Sequence, residues 1–332
     1  MRTEVVVSGV FLWGMSAVSG LASPVSAVAE GLWTAGATWA DSNPAGPGND
    51  YFIPDTLTVL SPSGGGAFNF AGDSLTVESG GVLRLQNNHS TTIQTSTYTI
   101  PSLSLQDGAT VLARATSGVG ATNYRLQNSV SVSGNTTLQL GSGHFFSYLT
   151  LLGGLTGDGT VNFQRIAGGG TQDFRFNVHG VNNTFSGDWN LSGTRTTIFA
   201  RDAGAMGTGA ITASNNMLVD NTVAGGLDTL TLINLVGTGT LQLTNPFSNS
   251  SAGWTLEAGS ELIVGDGDSI VGSLNIDGNA VPNGTYTAGQ LTALGFGGTF
   301  SGSGTVSVVP EPSVLSLIAV ALGAVGVLRR RR

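Results

Sequence analysis

The chain has no cysteine and no lysine, three histidines among 332 residues, and no basic residue between Arg201 and Arg329. Without cysteine there are neither disulfide staples nor thiolate chemistry, so stability must come from packing and hydrogen bonds. Without lysine or clustered arginines in its middle, the body offers no cation patch for a phosphate backbone, which argues against nucleic-acid binding. His89, His144 and His179 stand far apart with no ligand spacing. Surface or turn positions are expected for them, although a lone His can serve as a general base. Long helical periodicity is also missing, which removes α/β folds. Charged residues are only 10% of the chain and its net charge is −8. The body is more acidic still once Arg2 and the terminal arginines are set aside.

Glycine is abundant, at 51 residues, accompanied by Thr, Ser and Asn. Low charge with high glycine content is one signature of disorder, but here apolar positions alternate regularly. A Gly or Asn turn, a small residue and an alternating apolar run return at 72–77, 108–112, 135–140, 159–163, 239–243, 259–264 and 304–308. Period two with β-branched residues predicts half-buried strands, and the preceding glycines suit the positive-φ positions of tight turns. A second strand type, at 102–105, 129–132 and 148–151, interleaves with starts 27 and 19 residues apart. Recurrence in the low twenties is the scale of a solenoid rung. The pattern predicts an all-β, right-handed parallel β-helix of ten or more rungs in one continuous domain; a large β-sandwich is the alternative. Atypical ends fit solenoid caps. At the start are Trp33, Trp39 and Tyr51; at the close, Tyr286, Leu291, Leu294 and Phe296 are placed to seal the core.

Both termini read as addresses. Arg2 precedes an apolar stretch at 5–21, then Pro24 and the A-x-A triplet Ala27-Val28-Ala29, with cleavage expected before Glu30. Residues 1–29 are thus a predicted signal peptide, a transmembrane helix being the alternative, and 30–309 the body. At the other end, Val309-Pro310-Glu311-Pro312 makes a stiff, extended hinge. An uncharged run at 314–328 follows, and the chain ends on Arg329, Arg330, Arg331 and Arg332. At about 1.5 Å per residue the run falls somewhat short of the ~30 Å hydrocarbon core, a gap that flanking residues or local thinning can close. The arginines favour the cytoplasmic side. A transmembrane tail at 310–332 is expected over a buried core helix, which rarely ends in four cations; a permanent anchor is the stronger rival.

The order Val-Pro-Glu-Pro, short apolar stretch and arginine cluster resembles the PEP-CTERM sorting domain. That resemblance implies a Gram-negative-type envelope, recognition by an exosortase, cleavage at or near Pro310–Pro312 and association with extracellular polysaccharide. It gives a destination and leaves activity open. The body phrases at 155–161, 183–189 and 205–211 are similar to the β-strand repeats of autotransporter passenger domains, which implies a β-helical stalk and no catalytic residues. The translocating barrel of that family is missing here, and the sorting tail stands in its place.

The sequence shows no convincing catalytic, cofactor or metal site. Asp266-Gly267-Asp268 is the nearest approach to a Ca²⁺ loop, but it lacks the ligand pattern and trailing Glu that six to eight oxygens require. A polysaccharide lyase or hydrolase is the alternative reading. Arg165, Arg175, Arg195 and Arg201 with Asp158, Asp173 and Asp188 are its candidate set; a hydrolase would want a carboxylate pair at defined separation. The reading preferred is a non-enzymatic, exported structural protein of the cell surface or matrix. Its expected partners are an exosortase-type enzyme, the membrane through the tail, and exopolysaccharide met by Trp189, Trp254 and polar faces.

Overall fold

Strands make up nearly all the regular structure of the computed structural model, which describes residues 22–88, 94–117, 122–141, 147–166, 174–180 and 183–309. Among the described residues the helical elements are one 3-10 turn, Gly36–Thr38, and one α-helix, Ala288–Ala293. The chain winds into a solenoid of about nine turns that lays its strands into three sheets, of six, fourteen and ten strands. Each strand pairs in parallel with its counterparts one rung earlier and one rung later. Among the described residues, antiparallel pairing is confined to the isolated Ala27–Trp39 bridge and to two short strands near the C-terminal end, Asn279–Ala280 and Gly284–Thr287. This topology excludes the β-sandwich, whose sheets are antiparallel.

Alternation decides which side chains enter. On the fourteen-stranded sheet Leu83, Val111, Leu138, Phe163, Leu191, Ala213, Leu235 and Leu256 hold successive register positions. All are buried. Each large aliphatic member contributes roughly 1.5–3 kcal/mol of transfer free energy, and stacking of like on like makes the core continuous from rung to rung. Glycine matters most where rungs touch at a corner. A Cβ on Gly187 would stand 1.7 Å from the carbonyl oxygen of Gly159, so no side chain fits there. Gly134 turns the chain with φ of +69°, a region that L side chains rarely adopt.

Rung length changes along the body. Asn135 donates its N–H to Asp107, 28 residues back; Ala210 donates to Asp188 across 22; Gly237 donates to Glu257 across 20. The shortening coincides with the end of the six-stranded sheet, whose last strand is Leu155–Gly157. Phe163, Phe176, Phe185 and Trp189 fill the core at that junction. Phe163 and Phe176 stack at 4.5 Å, and Trp189 meets Phe176 and Phe185 edge-on. Beyond it, buried Ala205, Met206, Leu227, Leu230 and Phe247 close the side that the lost sheet no longer covers.

Three sequence readings change here. The turns number about nine, fewer than the ten or more that the repeat length predicts. The phrase at 148–151 does not belong with 102–105 and 129–132. Leu103–Leu105 pairs with Val130–Val132, which pairs with Leu155–Gly157, all in the six-stranded sheet; Ser147–Leu151 lies in the ten-stranded one. The spacing of 19 therefore joins two different sides of the solenoid. At the C-terminal cap, Leu291 is buried and Tyr286 and Phe296 pack on the core, but Leu294 is exposed at 36%. The helix there starts on a capping box, Thr287 and Gln290 bonding each other's backbone N–H.

The N-terminal cap is an aromatic cluster: Trp39 packs on Tyr51 at 4.7 Å, and Phe70 touches Trp33, Trp39 and Tyr51. Strand Ser23–Ser26 covers it, pairing with Asn49–Ile53, so the described fold begins ahead of Glu30. No helix among the described residues is long and apolar enough to cross a membrane. The expected transmembrane run at 314–328, with Pro310, Glu311, Pro312 and Arg329 to Arg332, lies outside the described residues; Val309 donates its N–H to Val271 at the last rung.

Candidate functional site

Strand register gathers three arginines and two aromatic rings on the outer face of the ten-stranded sheet. The strands are Thr122–Leu126, Ser147–Leu151, Phe174–Val178 and Thr196–Ala200. Their inward residues, Tyr124, Leu149, Phe176 and Ile198, are buried in one column. Alternation therefore turns the residues between them outward. Tyr148 stands beside Arg175, and Thr150, Asn177, Phe199 and Asp220 form the next outward column.

The rings hold the guanidiniums. Arg175 lies 5.7 Å from the centroids of both Tyr148 and Phe199, and Arg201 lies 4.3 Å from that of Phe199. Such stacking leaves the planar fork of donors free at the edge. A polar chain ties the face together. Arg201 Nε donates to Asn177 Oδ1 at 2.8 Å, and Asn177 donates to Thr150 Oγ1 at 3.4 Å. Asn123 donates to the same hydroxyl at 3.1 Å and accepts from Arg125 Nε at 3.1 Å. Burial, then the neighbouring Arg175, lower the pKa of Arg201, while Asp220 opposes the shift. Asp220 itself is pushed up by burial, against the pull of Thr244 and Arg201. Arg175 differs from its neighbours: among the described residues its guanidinium donates to no acceptor. A side chain pinned in place with idle charged donors is suited to a planar anion such as a carboxylate or sulfate.

The candidate lyase set is divided. Arg175 and Arg201 share this face. Arg165 stacks on Phe174 at 4.2 Å and donates to the carbonyl of Thr194, and Arg195 is close enough to help lower its pKa, after burial. Asp158 and Asp188 belong to a different corner, ahead of the fourteen-stranded sheet, where Asp188 accepts the Ala210 N–H at 2.8 Å. Asp173 lies outside the described residues, as do His89 and His144. His179 Nδ1 stands 3.4 Å from Asp202. In the turn at 266–268, Ser303 and Thr305 donate their hydroxyls to Asp266 and Asp268. No group of three or more His, Cys, Asp or Glu able to hold a metal occurs among the described residues.

The tryptophans require a correction. Trp189 is 0% exposed and Trp254 1%, with Trp189 Nε1 donating to the carbonyl of Met206. Both belong to the core and neither can stack on a sugar. A second surface, a shallow depression of about 220 Å³ on the fourteen-stranded sheet, is lined by Asn162, Gln164, Asn190, Ser192, Thr212 and Ser214. Its amides bond along the ladder, Asn190 to Asn162 and Asn162 to the carbonyl of Thr136.

Residues 308–332 match the PEP-CTERM protein-sorting motif. No curated protein and no solved structure matches the chain, so the autotransporter likeness rests on the repeated phrases alone. The motif marks an exported, envelope-associated protein that an exosortase-type enzyme processes.

Proposed function

We propose that this protein is a non-catalytic surface or matrix component that holds acidic exopolysaccharide along the outer face of its ten-stranded sheet. The carrying observation is Arg175, fixed between Tyr148 and Phe199 with no acceptor among the described residues. Arg201 follows the strand one rung further on, and Arg125 stands two rungs earlier on the same face. Rungs recur at roughly 4.8 Å, so a chain laid across them meets cations on three of four consecutive rungs, with the Tyr148 ring on the fourth. In this reading the apolar run at 314–328 holds the precursor in the membrane, with Arg329 to Arg332 on the cytoplasmic side, until cleavage near Pro310–Pro312. The solenoid is taken as right-handed, the hand that parallel crossovers adopt.

The test is titration of the purified protein with polygalacturonate, as an acidic probe, and dextran, as a neutral one. Binding of polygalacturonate that weakens with salt is expected. Combining Arg175→Ala with Arg201→Ala should lower its affinity roughly tenfold or more. Equal binding of dextran, or a double variant that binds unchanged, would overturn the proposal.

A further inference from the structure

The first strand of the fold coincides with the segment that the A-x-A triplet would remove. Cleavage before Glu30 would take away Ser23–Ser26 and the residues that follow it, and these are built into the cap. Val25 and Ala27 are buried. Ser23 donates its N–H to the carbonyl of Gly48 at 3.2 Å, Ala27 to that of Phe52 at 2.8 Å and Val28 to that of Thr38 at 2.9 Å; Ser26 accepts from Ala40 at 2.9 Å. Ala27 also bridges Trp39. Without this segment, Asn49–Ile53 becomes an open edge of a parallel sheet, the template for unwanted pairing that proteins normally cover. The cluster of Trp39 and Tyr51 loses its lid as well.

A second small-x-small triplet stands just upstream, Gly20-Leu21-Ala22, at the very end of the apolar stretch. A cut after Ala22 has small residues at the last and third-last positions before the bond, Ser23 immediately after it, and Pro24 one residue further on. That meets the small-residue requirement of a secretory cleavage site. It also leaves every hydrogen bond of the cap intact. We infer that the exported chain is cut between Ala22 and Ser23, and that Ser23–Ser26 is the first strand of the mature domain. The inference rests on the export reading.

The N-terminal peptide and intact mass of the protein from its host's envelope and medium test it. A chain beginning at Ser23 is expected. A chain beginning at Glu30 overturns the inference and leaves export standing, whereas one that keeps Met1 overturns both. Two full-length variants add a second readout. Ala22→Leu should lead to accumulation of the uncut precursor, because a large side chain then precedes the bond. Ala29→Leu, at an exposed position, should leave the mature start unchanged. Blocked processing in Ala29→Leu with normal processing in Ala22→Leu would sink the proposal.

Discussion

The two halves of this solenoid solve the same packing problem with different amounts of chain. Up to Leu155–Gly157 the rungs are long and three-sided, and the six-stranded sheet supplies the third wall. Beyond Trp189 the rungs shorten, and that wall is replaced by turns that bury Leu227, Leu230 and Phe247. Charge divides close to the same line: every arginine of the body lies at or before Arg201, and only acidic side chains are charged between Asp202 and Val309. In the short-runged half several of those carboxylates bracket backbone. Asp228 accepts the N–H of Ser248, and Glu257 that of Gly237. The comparison teaches that acidity does the same job throughout and that the cations make the difference. In both halves it satisfies orphan N–H groups at corners, Asp107 and Asp73 upstream as Asp228 and Glu257 do downstream. Cations stand only upstream, where Arg175 and Arg201 are left to face outward.

The largest effect should come from the junction. Trp189→Ala removes the side chain that joins Phe176 to Phe185 and should cost about 3–5 kcal/mol. Because solenoid rungs are stabilised by their neighbours, thermal or urea unfolding should split into two transitions, one for each half. A single undivided transition would show that the halves are one cooperative unit regardless of that plug.

A smaller contrast sets the junction tryptophan against one downstream. Trp189 Nε1 has an acceptor in Met206, whereas Trp254 Nε1 is buried without a partner. Trp189→Phe therefore loses a hydrogen bond worth about 1 kcal/mol on top of its lost ring area, and Trp254→Phe removes an unsatisfied donor. In chemical denaturation Trp254→Phe should be the milder of the two. The reverse order would mean that ring volume dominates at both sites.

The smallest effect is a pH dependence confined to the short-runged half. Burial raises the pKa of Asp228 above its ordinary 3.8, opposed by the Ser248 N–H. The folded state then takes up this proton before the unfolded chain does. Its contribution to stability is fully present below the unfolded value and is lost as pH rises through the raised native one. Asp228→Asn keeps an oxygen for Ser248 and should flatten that part of the stability profile. An unchanged profile would assign the pH dependence to other carboxylates, Asp220 first among them.

Much of the fold was legible because alternation is a local signal. The strand phrases, the aromatic N-terminal cap, most of the C-terminal cap and the lack of long helices between the described strands are all legible in the alternation and turn residues. Register could not. The apolar-x-apolar alternation at 103–105, 130–132 and 149–151 is the same on two different sheets, and only pairing tells them apart. The Arg–aromatic face escaped for the same reason, since Tyr148, Arg175 and Phe199 meet through rung spacing and share no motif. The placement of Trp189 was recoverable. It alternates in step with Leu191 across Asn190, so the two had to share a side, and an aromatic residue paired that way with leucine belongs inside.

The neighbour-only pairing of the rungs also bears on how the molecule comes to exist outside the cell. Apart from its terminal cap, each strand docks on a counterpart made one rung earlier, and even the hydroxyl bond between Ser303 and Asp266 spans only 37 residues. Synthesis order and docking order therefore coincide. A chain that emerges from its N-terminus can zip up behind the aromatic cap before its far end has followed, each finished turn drawing the next one after it.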